Sequence, residues 1–220
     1  MLKQQLAPIE ATDWDHYYRS VPATAKITRK YTTSILLSTI RRYANAGDNS
    51  GLSIVEIGGA NSCFVQAILA NIRTRQYDVI DTNELGLSLL ARRVAGSPTI
   101  RLFRQDVLDL SYREQADLAF SVGLVEHFTP AETRAAILAH FDVLRPGGTL
   151  VITFPTPTLL YRLTRKSIEL LGMWEFPDER PLLPEEALAA IRERGEVLFQ
   201  KTLWPQVLTQ HLVVARKHPA

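Results

Sequence analysis

The hydrophobic pattern changes period along the chain, and each change predicts an element. Ser53-Ile54-Val55-Glu56-Ile57 is an apolar, β-branched run, Gly58-Gly59 turns it, and from Asn61 the apolar residues Phe64, Ile68, Leu69 and Ile72 recur at helical spacing. This predicts a strand, a tight turn and a helix start. Glycine permits positive φ and close approach of a ligand to the backbone, and the free N–H groups of a new helix favour negative charge. Such a turn suits an anionic or polar cofactor, although any βα turn can use glycine merely to change direction.

The cadence continues. Gln76 to Asn83 predicts a second strand ending near Asp81, followed by a helix through Leu87, Leu89, Leu90 and Val94 that Gly96 closes. Thr99 to Val107 predicts a third strand and Ala116 to Gly123 a fourth. Thr129-Pro130-Ala131-Glu132 reads as a capping box with proline at the first helical position, opening a helix with Ile137, Leu138, Phe141 and Leu144 on one face. Arg145-Pro146-Gly147-Gly148 should end that helix, and Thr149 to Phe154 predicts a fifth strand. Strands this apolar are covered on both faces. Strand and helix alternate from 53 to 154, which predicts an α/β fold: a parallel, Rossmann-like sheet with right-handed crossovers and helices on both faces. Its ligand should lie beyond the carboxyl ends of the strands, where strand order reverses.

The flanks differ. Residues 1–11 read as a lead-in, Asp13 to Ser20 as a short helix bearing Trp14, Tyr17 and Tyr18 that Val21-Pro22 breaks, and Thr28 to Tyr43 as an amphipathic helix covering the sheet. Residues 46–51 read as a loop. From Pro155 to Pro184 the regularity lapses into an insert. Pro184 to Arg194 predicts a helix stopped by Gly195, and Val197 to Trp204 with Gln210 to Arg216 an antiparallel strand pair. The expected layout is a single domain over 1–220: a helical cover at 1–50, a cofactor-binding core at 53–154, an acceptor-lid insert at 155–184, and a closing helix and strand pair at 185–220.

Composition narrows the reading. At 220 residues, 46% hydrophobic and 22% charged, the chain has room for one core of ordinary globular type. A net charge of +2 argues for neither nucleic acid nor a membrane surface. The single cysteine, Cys63, excludes an internal disulfide and suits a reducing compartment. With no signal-like segment at Met1 to Pro8 and no apolar run of spanning length, the expected location is cytoplasmic. No carboxylate and histidine set has metal-ligand spacing, so no metal is expected.

Glu56, Asp81 and Asp106 stand at or near the carboxyl ends of three successive predicted strands. Asp81 lies where a carboxylate accepts bonds from ribose hydroxyls. A carboxylate near Asp106 suits an adenine amino group, and Glu56 beneath the turn suits backbone N–H groups or a ligand ammonium. An adenosine with a zwitterionic tail fits this set.

In these residues the chain resembles the class I methyltransferases that use S-adenosylmethionine. The matching pieces are Val55-Glu56-Ile57-Gly58-Gly59-Ala60, Asp81, Gln105-Asp106-Val107, Asp117 through Phe128, and Leu144-Arg145-Pro146-Gly147-Gly148-Thr149-Leu150; they span 53–154 in order. The closing antiparallel pair also fits, giving a sheet of about seven strands. The resemblance implies methionine-tail contacts at Glu56, Gly58 and Gly59, ribose at Asp81, adenine at Thr82, Asp106 and Val107, and the reacting end of the cofactor near Ser121, Val122 and Gly123. Where the family's turn carries further glycines, this chain has Ala60 and Ser62; either the cofactor sits differently, or Asn61 and Ser62 bond its carboxylate. A dinucleotide G-x-G-x-x-G would need glycine at Ala60 and Cys63, which speaks against a nicotinamide oxidoreductase.

The implied reaction is direct displacement of the methyl group to a held acceptor, in which placement supplies much of the acceleration. His127, after the fourth strand, is a candidate for the acceptor's proton, and His16 a second. Tyr17, Tyr18, Tyr161 and Arg162 are candidate acceptor contacts; Arg162, Arg165 and Lys166 share one helical face that could hold an anion. Ser121-Val122-Gly123-Leu124 lacks the Asn/Asp-Pro-Pro-aromatic tetrad of enzymes that grip a base nitrogen, so nucleic acid is not the expected acceptor. The expectation is methyl transfer, at oxygen, to a small-molecule or saccharide-type metabolite. A cofactor-binding scaffold without catalysis is the alternative.

Overall fold

The structure, a computed structural model, describes residues 10–20, 23–46, 50–203 and 209–219. The expectations for residues 1–9, for the break at Val21-Pro22, for the middle of the 46–51 loop and for Trp204 lie outside them.

Seven strands form one sheet in the order β3-β2-β1-β4-β5-β7-β6. They are β1 Leu52–Ile57, β2 Thr74–Asp81, β3 Ile100–Arg104, β4 Ala116–Val122, β5 Leu144–Pro155, β6 Gly195–Leu203 and β7 Gln210–Lys217. The first five run parallel, while β7 is antiparallel to both β5 and β6. Strand β1 carries β2 on one side and β4 on the other, so strand order reverses there and a crevice opens beyond Ile57 and Val122.

The helices are α1 Trp14–Arg19, α2 Ala23–Tyr43, α3 Val65–Asn71, α4 Glu84–Arg93, α5 Pro130–Asp142, α6 Leu159–Leu170 and α7 Pro184–Arg192. Successive residues of a strand face opposite sides. Accordingly Ile54 packs with Leu36, Ile40, Ile68 and Leu90 from α2, α3 and α4, whereas Val55 joins the core with Ile137, Phe141, Leu188 and Ile191 from α5 and α7. Burial on both faces explains the unbroken apolar reading of β1, β4 and most of β5.

Local chemistry sets several boundaries. Thr129 and Glu132 form the reciprocal capping box at α5, with Pro130 in the first turn. Three expected boundaries are corrected. Helix α3 starts at Val65 rather than Asn61, because the Ser62 hydroxyl accepts from the Phe64 N–H at 3.1 Å and holds 61–64 as a turn. Strand β3 stops at Arg104; the Gln105 side chain then turns the chain by accepting from the N–H groups of Ser111 and Tyr112. Arg145-Pro146-Gly147-Gly148 belongs to β5, where Gly147 takes φ +72° and Arg145 reaches the buried Asp117 at 2.6 Å. The insert, in turn, contains a regular helix, α6.

Candidate cofactor and acceptor site

The turn after β1 is built around a buried acid. Glu56 accepts from the Tyr77 hydroxyl at 2.7 Å, and burial pushes its carboxyl up to about 7 against hydrogen bonds from Tyr77 and Ser62. Gly58 takes φ +78° and donates its N–H to Ile80 at 2.8 Å, which ties the turn to β2. A Cβ on Gly59 would stand 2.6 Å from Cδ of Glu56. Only glycine leaves the acid its place under the backbone.

Asp81 closes β2 and faces the same turn. Its two oxygens accept from Ala60 N–H at 2.9 Å and Asn83 N–H at 2.8 Å, while burial raises its pKa. Arg93, from α4, was not anticipated: it donates to Oδ1 of Asn61 at 2.9 Å and to the Ser62 carbonyl at 2.6 Å. Asn61 and Ser62 are thus held within the protein, and the cation beside them complements a carboxylate. Thr82 and Asp106 are exposed and Val107 buried at the ends of β2 and β3, with Asp106 accepting from Leu108 N–H at 2.9 Å. At the end of β4, Gly123 takes φ +70°, Val122 is half-buried, and the buried Ser121 hydroxyl lacks a hydrogen-bond partner.

The aromatic N-terminal segment lies against this crevice. Helix α1 is capped by Asp13, which accepts from His16 N–H at 2.9 Å, and Asp15 accepts from the Asn83 amide at 2.8 Å. Tyr18 reaches Gly86 of α4: a Cβ there would meet its ring at 2.8 Å and the Cβ of Ala60 at 2.6 Å. Burial and the Asp81 carboxylate hold the Tyr18 phenol well above its usual range, so it remains a donor beside the crevice. The Tyr17 hydroxyl accepts from Arg29 at 3.3 Å.

Trp14 brings the second half together. Its ring lies 5.1 Å from that of His127 and 5.8 Å from that of Phe176, and Tyr17 lies 5.2 Å from Phe176, all centroid to centroid. His127 ends a 3₁₀ turn, Val125–His127, and its Nδ1 stands 2.9 Å from Oδ1 of Asp178. Asp178 also accepts from the N–H and hydroxyl of Thr12, and these bonds hold its pKa below the ordinary value despite burial. Burial lowers the His127 pKa, opposed by Asp178, so the imidazole is neutral near pH 7. Beside it Glu126 is 2% exposed, and one of its oxygens has no hydrogen-bond partner; burial, with Glu179 and Asp178 nearby, raises its pKa strongly.

The insert supplies the far wall. Tyr161 donates to Glu179, and Arg165 donates to the Glu179 carbonyl at 2.7 Å while its guanidinium lies 4.9 Å from the Trp174 ring centroid. Of the expected acceptor contacts, Tyr17, Tyr18 and Tyr161 thus point inward. Arg162 does not join them: it is exposed, about a quarter turn around α6 from Tyr161. His16 is also exposed, its ring 3.4 Å from the Ser20 hydroxyl. Asp178, which the sequence reading passed over, sits in a Pro-Asp-Glu turn with no motif around it. Among the described residues no group of His, Cys, Asp and Glu has the arrangement of a metal site.

The residues present fit an adenosyl cofactor with an amino-acid tail. Glycine is sterically required above Glu56, one acid stands at the end of β1 and one at the end of β2, a cation lies by Asn61, and the Ser121 hydroxyl is unengaged at the end of β4.

Comparison with known proteins agrees. Residues 54–148 match the family model described as a methyltransferase domain. Curated protein sequences give no match. Among solved structures, the N-methyltransferase NodS from Bradyrhizobium japonicum WM9, in complex with S-adenosyl-L-homocysteine, is 19% identical with TM-score 0.64 over 86% of each chain. Magnesium protoporphyrin IX methyltransferase from Synechocystis PCC 6803, with the same bound compound, is 14% identical with TM-score 0.72, covering 93% of this chain and 94% of that one. An O-methyltransferase family protein from Burkholderia thailandensis is 13% identical with TM-score 0.64, covering 87% of this chain and 60% of that one. The match to a methyltransferase domain runs from β1 into β5, within a strand order consistent with a class I methyltransferase, and S-adenosylmethionine is the cofactor that the residues present fit.

Proposed function

We propose that the enzyme methylates a hydroxyl group of a small-molecule or saccharide-type metabolite, with His127 as the proton acceptor and Asp178 orienting it. The observation that carries this reading is the 2.9 Å pairing of a half-buried, neutral imidazole with a carboxylate at Nδ1. A carboxylate accepts but does not donate, so Nδ1 holds the proton and Nε2 is the free base. A hydroxyl loses its proton as it is methylated and profits from such a base, typically by about 10²-fold or more.

The cofactor supplies an electrophilic methyl group on sulfur. The chain's part is to hold the two partners in line and keep water out. Trp14, Tyr17 and Phe176 offer aromatic faces on which a planar or sugar ring can stack, and Tyr18 offers a protonated hydroxyl.

Incubation with radiolabelled S-adenosylmethionine and panels of hydroxylated and amine acceptors tests this, with Asp81→Ala as the cofactor-site control. Label in hydroxyl compounds, lost in His127→Ala, supports the reading. Label in amines alone overturns the oxygen assignment, and tight cofactor binding without labelling of any acceptor favours a regulatory role.

A further inference from the structure

Helix α6 is amphipathic in the wrong sense for a core helix. Its protein-facing side carries Tyr161 and Arg165, bonded to the 174–179 segment, whereas its leucines point outward: Leu159 is 75% exposed, Leu163 56% and Leu170 79%. These three lie at i, i+4 and i+11, one stripe of an α-helix. Leu171 and Met173, 71% and 68% exposed, continue it past the helix end. Isolated exposed leucines are ordinary, but a contiguous row on one helix marks an interaction surface.

Charge identifies the partner. Arg162 and Lys166, at i+3 and i+7 from Leu159, flank the stripe, are exposed, and make no ion pair with a described residue. The acid on this side of the helix, Glu169, is held by Arg165 at 2.6 Å. A second copy of the chain would bring two more cations and no free acid to the contact. An anionic bilayer offers acyl chains to the leucines and phosphates to the cations. Twelve residues rise about 18 Å, short of the roughly 30 Å hydrocarbon layer, so the helix would lie in the plane of the surface.

We propose that the outward face of α6 docks the enzyme on an anionic phospholipid surface. The inner face of the same helix carries Tyr161 and Arg165, so docking sets the 174–179 wall behind α6, about one helix diameter from the surface. On the reading proposed above, that wall bounds the acceptor chamber, and the acceptor would be an amphiphile whose hydroxylated head is presented from the bilayer.

The test is flotation of the full chain with phosphatidylcholine vesicles with and without phosphatidylglycerol, alongside sedimentation velocity and thermal stabilisation by S-adenosylhomocysteine. The expected result is flotation only with phosphatidylglycerol. Leu163→Gln/Leu170→Gln should weaken it about tenfold or more, and Arg162→Gln/Lys166→Gln by about fivefold per cation removed. Neither docking on vesicles nor its loss should alter stabilisation by the cofactor product in Leu163→Gln/Leu170→Gln, which separates failure of this proposal from failure of the cofactor reading. Absence of flotation, or flotation unchanged by both double substitutions, overturns it. So does a dimer in solution that Leu163→Gln/Leu170→Gln dissociates, since the face would then belong to a second copy.

Discussion

Nδ1 of His127 and Oδ1 of Asp178 stand 2.9 Å apart although 51 residues separate them, and the same carboxylate is tied to Thr12 ahead of α1. One acid therefore joins the turn after β4, the insert and the N-terminal segment.

This pairing predicts a kinetic signature. His127→Ala should lower kcat by about 10² to 10⁴ with little change in cofactor affinity. Because burial holds the His127 pKa below 6.5, activity should persist down to mildly acid pH and fall only as the imidazole protonates. Asp178 raises that pKa, so Asp178→Asn should reduce kcat and move the acid limb to lower pH. Rate profiles from pH 4.5 to 8.5 read both effects.

Gly59→Ala should damage the cofactor site from beneath. The new Cβ would fall 2.6 Å from Cδ and 2.7 Å from Cγ of Glu56, the carboxyl carbon and the methylene before it, in a side chain that is buried and held by the Tyr77 hydroxyl and so cannot swing clear. Overpacking of this kind costs about 1–3 kcal/mol. Thermal denaturation should show a lowered Tm, and S-adenosylhomocysteine should no longer raise it.

Glu56 itself should make stability and binding respond to pH in opposite directions. Its folded-state carboxyl is raised from 4.5 to about 7, so the stability it contributes is full below 4.5 and is lost as pH rises through about 7. Glu56→Gln should remove that loss, worth on the order of 2–3 kcal/mol above pH 7. A ligand ammonium, by contrast, favours the ionised acid, so affinity for S-adenosylhomocysteine should rise between pH 6 and 8 with release of a proton. Calorimetry in buffers of differing ionisation enthalpy counts that proton.

His140 sets an acid limit of its own. It is buried in α5, its Nδ1 bonds the Ala136 carbonyl at 2.7 Å, its Nε2 has no partner, and burial lowers its pKa to about 4. Since the folded pKa is depressed, the stability it gives is present above 6.5 and is lost as pH falls from there towards 4. His140→Leu should flatten this part of the profile, by on the order of 2–3 kcal/mol in chemical denaturation at pH 4.5 against pH 7.

Period alone disclosed most of the frame. Strands β1, β2 and β4 and helices α4 and α5 were legible because burial on both sheet faces leaves unbroken apolar runs, and because Thr129 and Glu132 name their helix start directly. Helix α6 was obscured because its leucines face outward while its inner face is Tyr161 and Arg165, the reverse of the pattern that signals a covered helix. Within the site, Glu56 and Gly59 could be read because they belong to one local turn, and Asp81 because it closes the next apolar strand. Asp178 and Arg93 could not. Each reaches its partner, His127 or Asn61, only through tertiary packing, and neither carries a local signal.

The shared carboxylate of Asp178 has a consequence for alignment. Raising α1 from its seat would take Thr12 away from Asp178 and loosen the acid that steers the imidazole. If His127 is the base proposed above, the seating of α1 and the alignment of that base are one variable, because both depend on the Asp178 carboxylate.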